Sequence, residues 1–236
     1  MRVAATLAYD GTHYFGSQIQ AETPHTIFGV FEKVLLELGI DFRVVASGRT
    51  DKGVHATGQV CHFDLPKHWS DLFKLKRALN HKLPNSIKVI KLQRVAEDFH
   101  ARYSATKRSY RYIIKVGESN PFQTDYITFV KELNFTLLHE KMPLFVGEHD
   151  FEYFMKTGSE IQSTQRVIYK SFAYRYKGFI ILHFQANGFL RSQIRMMVAA
   201  LLQLSQEEIK EKLSKKKDYK IKPAPSNGLY LAKISY

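Results

Sequence analysis

Cysteine is almost missing. Cys61 stands alone in 236 residues, which excludes an intramolecular disulfide and suits a reducing cytosol. Within "VCHF" it reads as a small apolar core residue. Long apolar runs are missing too: nothing approaches the roughly eighteen residues of a membrane-spanning helix. The opening "MRVAATLAYDG" is interrupted by Tyr9, Asp10 and Gly11 before a signal-peptide core is complete. A cytoplasmic protein without membrane attachment is therefore expected. Acidic residues are scarce, with 22 Asp and Glu against 35 Lys and Arg, a formal net charge of +13. Charge of this kind speaks about partners and not about fold. A nucleic acid outranks an anionic membrane as the acidic partner, because no amphipathic basic helix with an aromatic face stands out.

Two common chemistries are also wanting. The ten histidines never fall at zinc spacing with partner cysteines, and no His-x-Glu with Pro-Cys-x-x-Cys is present for a deaminase. A metal site is not expected. Gly11 and Gly16 have the gap of a phosphate-binding P-loop, but Ser17 and Gln18 follow where Lys and Ser or Thr are required.

What is present is an ordinary globular core, with 44% hydrophobic residues, patterned in alternation. "VAATLAYD" reads as a strand. Thr26 to Leu38 places Ile27, Val30, Phe31, Val34, Leu35 and Leu38 at helical spacing before Gly39. "FRVVAS" and "QVCHFDL" read as strands around a long polar loop, Ser70 to Lys82 as a helix, and Ile87 to Val95 as a half-buried strand. The order is β-α-β-β-α-β.

The second half repeats it. "RSYRYIIKV" is a strand, Thr136 to Phe145 a helix, residues 165 to 186 two strands turned at Lys177-Gly178, Leu190 to Leu204 a helix, then a short charged helix and the closing strand "GLYLAKISY". The pattern predicts an α+β fold of two ferredoxin-like (βαββαβ) halves with antiparallel sheets, residues 1–96 and 97–236. The basic run Lys210 to Lys222 is either a solvated helix end or a phosphate-contacting edge.

Three polar segments could carry chemistry. The loop "GRTDKGVHA" holds Arg49, Asp51, Lys52 and His55, and hairpin connections are normally far shorter. "FHARYSATKRSYRYII" interleaves His100, Arg102, Arg108 and Arg111 with Tyr110 and Tyr112, offering phosphate anchors beside flat stacking surfaces. Alternation puts Tyr110 and Tyr112 on one face; core packing is the other reading of each tyrosine. In "NGFLRSQIRMM", Arg191 and Arg195 are four apart on a helix start, and an Arg among Ile194, Met196 and Met197 invites a carboxylate partner.

These blocks, with "YDGTHYFGSQ", resemble the tRNA pseudouridine synthase A (TruA) family in order and spacing along essentially the whole chain. The resemblance implies isomerisation of uridine to pseudouridine at positions 38, 39 and 40 in the anticodon stem-loop of tRNA. It also implies two halves joined around a central catalytic cleft, a homodimer, and no cofactor. Asp51 matches the family's catalytic aspartate, acting as a nucleophile or as the base that takes a ribose proton. Arg195 matches its basic partner. Tyr110 matches the tyrosine that stacks on the uracil, and Arg49 the arginine that fills the space of the flipped nucleotide. Lys52, His55, Arg102, Lys107, Arg108 and Arg191 are expected RNA contacts. Ser17 stands where the family usually has Trp, Phe28 where it often has Gln, and the chain is short for the family. The residues by themselves leave open a non-catalytic RNA-binding or tRNA-folding module, or a pseudouridine synthase acting on another RNA.

Overall fold

The first strand, β1 (Arg2–Tyr9), buries Val3, Ala5 and Leu7 completely, the outcome expected of an alternating run with small or aliphatic residues on one face. A computed structural model of the chain describes residues 1–156, 158 and 162–236. Two compact units emerge: Met1–Thr106 with Tyr230–Tyr236, and Lys107–Leu229.

In the first unit β1 is followed by α1 (Ile27–Glu37), β2 (Val45–Ala46), β3 (His55–Asp64), α2 (Leu72–Lys82) and β4 (Ile87–Arg94). The strands run antiparallel in the order β4-β1-β3-β2, the arrangement of a ferredoxin-like half. Helix starts follow their side-chain caps. Thr26 Oγ1 accepts the Gly29 N–H at 3.1 Å, and Asp71 Oδ1 accepts those of Phe73 and Lys74 at 2.9 and 3.0 Å. Phe31 and Leu35 of α1, Leu75 and Leu79 of α2 and Phe63 of β3 are at most 1% exposed and close the core. The Asn80 side chain bonds both the N–H and the C=O of Val89, at 2.8 and 3.0 Å, tying α2 to the edge strand β4. The strand read in "FRVVAS" is only two residues long: the Val44 N–H goes to the Glu32 carboxylate at 2.9 Å instead of a neighbouring strand.

The second unit runs β5 (Lys107–Val116), β6 (Thr128–Val130), α3 (Phe135–Lys141), β7 (Gly147–Asp150), β8 (Gln165–Tyr176), β9 (Phe179–Ala186), α4 (Gln193–Gln203) and α5 (Gln206–Leu213). Its antiparallel order is β5-β9-β8-β7, with β6 added parallel to β5. Lys177 and Gly178 both take positive φ, 47° and 80°, which gives the tight hairpin turn whose twist matches its strands. The helix read to Phe145 is α-helical only to Lys141. Pro143, which has no N–H to give, starts a 3-10 turn over Met142–Phe145. The short β6 and β7 carry too few residues for an alternation to show.

The last strand, β10 (Leu229–Ser235), pairs in parallel with β3, Tyr230 opposite His55 and Leu231 opposite Ala56. Three lysines of the basic run beside α5 are paired with acids of their own unit. Lys212, 1% exposed, bonds Asp218 and the Tyr219 carbonyl; Lys215 bonds Asp150 and Glu152 at 2.8 and 2.9 Å; Lys220 bonds Asp218. These partners favour the helix-end reading of Lys212, Lys215 and Lys220 over a phosphate edge. Among the described residues no helix is long and apolar enough to cross a membrane.

Candidate active site

The loop "GRTDKGVHA" leads from β2 into β3, and its third residue, Thr50, is the best held. Thr50, 7% exposed, donates its N–H to Ser17 Oγ at 2.8 Å and accepts the Ser17 N–H on its carbonyl at 3.1 Å. Its hydroxyl meets Tyr9 OH at 2.9 Å. Burial raises the Tyr9 phenol to about 12, against the opposing hydrogen bonds of Thr50, Gln59 and Ser17, so it stays protonated in ordinary solution. Residues on either side of Thr50 project outward: Arg49 and Lys52 are exposed and Asp51 is half-buried. The Lys52 ammonium lies 4.2 Å above the Phe15 ring. The Val54 N–H returns to the Asp51 carbonyl at 3.1 Å, with Gly53 at φ 75° completing the turn.

Two glycines let "YDGTHYFGSQ" lie against this loop. A Cβ on Gly11 would sit 2.0 Å from the Val54 carbonyl oxygen, and one on Gly16, at φ 95°, 2.8 Å from that of Thr50. The start of the loop is secured by Gln59, fully buried in β3, whose Nε2 donates to the Gly48 carbonyl at 2.9 Å while Oε1 accepts the Ser47 hydroxyl at 2.6 Å. His55 is 1% exposed and stacks on Tyr230 at 4.7 Å. Its Nδ1 lies 3.1 Å from the Gly11 N–H and 3.2 Å from an Asp10 oxygen. A backbone N–H can only donate, so Nδ1 takes the acceptor role toward Gly11 and its nearness to Asp10 is not a second hydrogen bond donated from that atom.

Further along the first unit, the His100 ring nitrogen accepts the N–H groups of Arg102 and Tyr103, both at 3.2 Å. The Arg102 guanidinium lies over the Tyr103 ring at 5.6 Å, and that ring is 76% exposed. His62, beneath, accepts the Ala101 N–H at 3.1 Å; burial first, then the nearby Arg2 charge, lowers its pKa and keeps it in the accepting form.

In the second unit Tyr110 and Tyr112 share the buried face of β5, as alternation predicts, while Arg111 is exposed. Tyr112 is a core tyrosine, fully buried, with its hydroxyl bonded to Thr128 Oγ1 at 2.7 Å and to the Pro225 carbonyl at 2.9 Å. Tyr110 is 9% exposed and meets Phe189 edge to face at 5.3 Å. Arg195 is half-buried in the first turn of α4, its Nε donating to the Ala224 carbonyl at 2.6 Å, and Ala224 returns its N–H to the Arg195 carbonyl at 3.0 Å. Arg191 is exposed and precedes the helix. Ser192, at φ 59°, breaks the helical path, so Arg191 and Arg195 do not share a helical face as their spacing suggests. Arg108 donates to the Asn187 carbonyl at 2.6 Å, and the Lys107 ammonium lies 5.6 Å above the Tyr169 ring.

The expected residues thus divide between the units: Arg49, Asp51, Lys52, His55 and Arg102 in the first, Lys107, Arg108, Tyr110, Arg191 and Arg195 in the second. Sequence reasoning missed Tyr9, Ser17 and Gln59, which hold the Asp51 loop. The one signal was Gln59, a polar residue directly before the apolar Val60 and Cys61; Tyr9 and Ser17 gave none. The two departures from the resembled family are both buried, Ser17 fully and Phe28 at 4% exposure. Among the described residues no group of three or more His, Cys, Asp or Glu is arranged to hold a metal ion.

A family model described as tRNA pseudouridine synthase matches residues 5–104 and 142–236. A relative named tRNA pseudouridine synthase A from Wolinella succinogenes is 40% identical over 237 residues, covering 98% of this chain and 93% of that protein. A protein of the same name from Campylobacter jejuni is 37% identical over 243 residues and covers both chains fully. Another, from Maridesulfovibrio salexigens, is 37% identical over 246 residues, covering 100% of this chain and 90% of its own. Among solved structures, a Cbf5-Nop10-Gar1 complex aligns at a TM-score of 0.40 and 10% identity, over 85% of this chain and 45% of that one.

Proposed function

The chain belongs to the tRNA pseudouridine synthase family and isomerises uridine to pseudouridine in tRNA, and from that premise we propose that Asp51 carries the chemistry with Tyr110 and Arg195 as its partners. The reaction breaks the bond between the ribose C1′ and N1 of uracil and rebuilds it to C5; N1 gains a proton and C5 loses one. A carboxylate beside the ribose serves this in either of two ways. It attacks C1′ to form a covalent intermediate, or it removes a ribose proton while the uracil departs as an anion. The observation that carries the assignment is the loop itself. It holds Thr50 from three directions and leaves the adjacent carboxylate half-exposed.

Arg195 suits a charge partner because its Nε bond to Ala224 fixes the plane of the guanidinium, and an opposite charge favours the ionised carboxylate. Tyr110 presents a ring for stacking on uracil and a hydroxyl for the C5 proton. Arg49 fills the space of the extruded nucleotide, offsetting part of the few kcal/mol that unstacking costs. Lys52, Arg102, Lys107, Arg108 and Arg191 bind phosphates. His55 supports the loop instead of touching RNA, since its ring is enclosed by Tyr230 and the Gly11 backbone. The substrate uridines are those at positions 38, 39 and 40 of the anticodon stem-loop. The enzyme acts in the cytoplasm as a homodimer, and sedimentation showing a stable monomer at working concentration would remove the dimer from this reading.

The test is tritium release from C5-labelled tRNA. Asp51→Ala is expected to lose product formation by at least a thousandfold, about 4 kcal/mol of barrier at 1.36 kcal/mol per decade, while tRNA binding stays within about threefold. Wild-type turnover in that variant would overturn the assignment of Asp51.

A further inference from the structure

Ser17 is fully buried, and both of its hydrogen-bonding backbone groups and its side chain serve a purpose outside its own segment. Its carbonyl accepts the Phe28 N–H at 3.0 Å, and the preceding Gly16 carbonyl accepts that of Ile27 at 3.2 Å, so the pair is moored to the first turn of α1. From that mooring the Ser17 N–H and Oγ grip the C=O and N–H of Thr50, at 3.1 and 2.8 Å. The Thr50 hydroxyl is held in addition by Tyr9 at 2.9 Å. A backbone peptide held at its donor, its acceptor and its side chain has little freedom to rotate. Arg49 and Asp51 are its immediate neighbours, and their directions are set by it.

We propose that Ser17 is a positioning residue: through Thr50, and with Tyr9 as the second hold, it fixes where Asp51 and Arg49 stand relative to the reacting nucleotide. The inference rests on the assignment of Asp51 given above. Two features separate this from ordinary core packing. The Ser17 hydroxyl oxygen accepts its hydrogen bond from the N–H of a loop residue, Thr50, and not from a strand or helix. Gly16, with its positive φ and a would-be Cβ 2.8 Å from the Thr50 oxygen, permits the close approach that the double bond requires. Loosening such a hold by about 1 Å is enough to cost a hundredfold in rate without altering substrate contacts elsewhere.

The experiment measures single-turnover rate, kcat and KM for tRNA, and thermal melting in Ser17→Ala, Tyr9→Phe, Thr50→Ala, Thr50→Ser and Asp51→Ala. The expected result is a tenfold to hundredfold fall in single-turnover rate for Ser17→Ala, with KM within twofold and folded protein at assay temperature. Tyr9→Phe is expected to fall by a smaller factor, and Thr50→Ser to recover most of what Thr50→Ala loses. If Ser17→Ala does not fold, Tyr9→Phe and the Thr50 pair decide. Wild-type rates in Ser17→Ala and Tyr9→Phe beside an inactive Asp51→Ala would overturn the positioning role and leave the catalytic assignment standing. A loss confined to melting temperature, or a rise in KM at unchanged kcat, would also overturn it. An active Asp51→Ala would remove both.

Discussion

At the scale of single residues the first unit carries several positions where only one side chain serves. Gly11 is the clearest, because a Cβ there would meet the Val54 carbonyl oxygen at 2.0 Å, and that oxygen belongs to the backbone and cannot swing aside. Gly11→Ala is expected to destabilise the protein by about 2 kcal/mol or more and to displace the Asp51 turn, so urea unfolding and tRNA turnover should fall together. Arg2 and Asp64 give a smaller effect. The guanidinium bonds the carboxylate at 3.1 and 3.2 Å and holds its pKa below the ordinary 3.8. Both side chains keep substantial contact with water, which limits the pair to within about 1 kcal/mol. A depressed carboxylate stabilises the fold above its unfolded pKa and loses that contribution as pH falls through the lower folded value. The gap in stability between wild type and Arg2→Ala should therefore persist at neutral pH and close below 3.8, as followed by denaturant midpoints across pH.

At the scale of elements, caps and buried charges decide where the chain stops and turns. Thr26 opens α1, and Thr26→Ala should cost about 1 kcal/mol, read as a shift in urea midpoint at unchanged slope. A larger loss is expected where α5 ends. Lys212 is almost wholly buried and its ammonium is matched by Asp218. Asp218→Asn leaves that charge without its counter-ion, at a cost of about 3 kcal/mol. Burial raises the Asp218 pKa, but the hydrogen bonds from Lys212 and Lys220 together outweigh it and the net shift is downward. The difference between Asp218→Asn and wild type should accordingly be full above about pH 4 and shrink as pH falls further. This element also shows what sequence reading cannot weigh. "KEKLSKKKDYKIK" counts as a basic run, yet Asp150, Glu152 and Asp218 neutralise three of its lysines, two of those acids from sixty residues away.

At the scale of the whole molecule the +13 charge governs the encounter with tRNA. Each phosphate contacted releases counter-ions, so affinity should fall steeply with salt, by about a thousandfold between about 50 and 200 mM for six or more contacts. Filter binding at several ionic strengths measures the slope. Neutralising Lys52, Arg102 or Lys107 singly should lower that slope by about one each and leave the single-turnover rate nearly intact at saturating enzyme. A slope unchanged by any of the three would take those cations out of the interface.

Periodicity along the chain determined the element order of the first unit, the helix cores and the hairpin at Lys177-Gly178, because those features depend on side chains within a few residues of one another. It placed the closing strand β10 in the second half, although that strand pairs with β3. The same local logic placed Tyr110 and Tyr112 on one face, but it gave both tyrosines the same standing. Tertiary structure separated them by supplying Thr128 and the Pro225 carbonyl to the hydroxyl of Tyr112. It likewise took Arg191 off the helix through the left-handed Ser192, and turned His55 from an expected RNA contact into a buried acceptor. The loop "GRTDKGVHA" was legible as a site from its length and polarity. What holds it was not, since Tyr9 and Ser17 reach Thr50 across more than thirty residues, and a hydrogen bond at that separation leaves no period in the sequence.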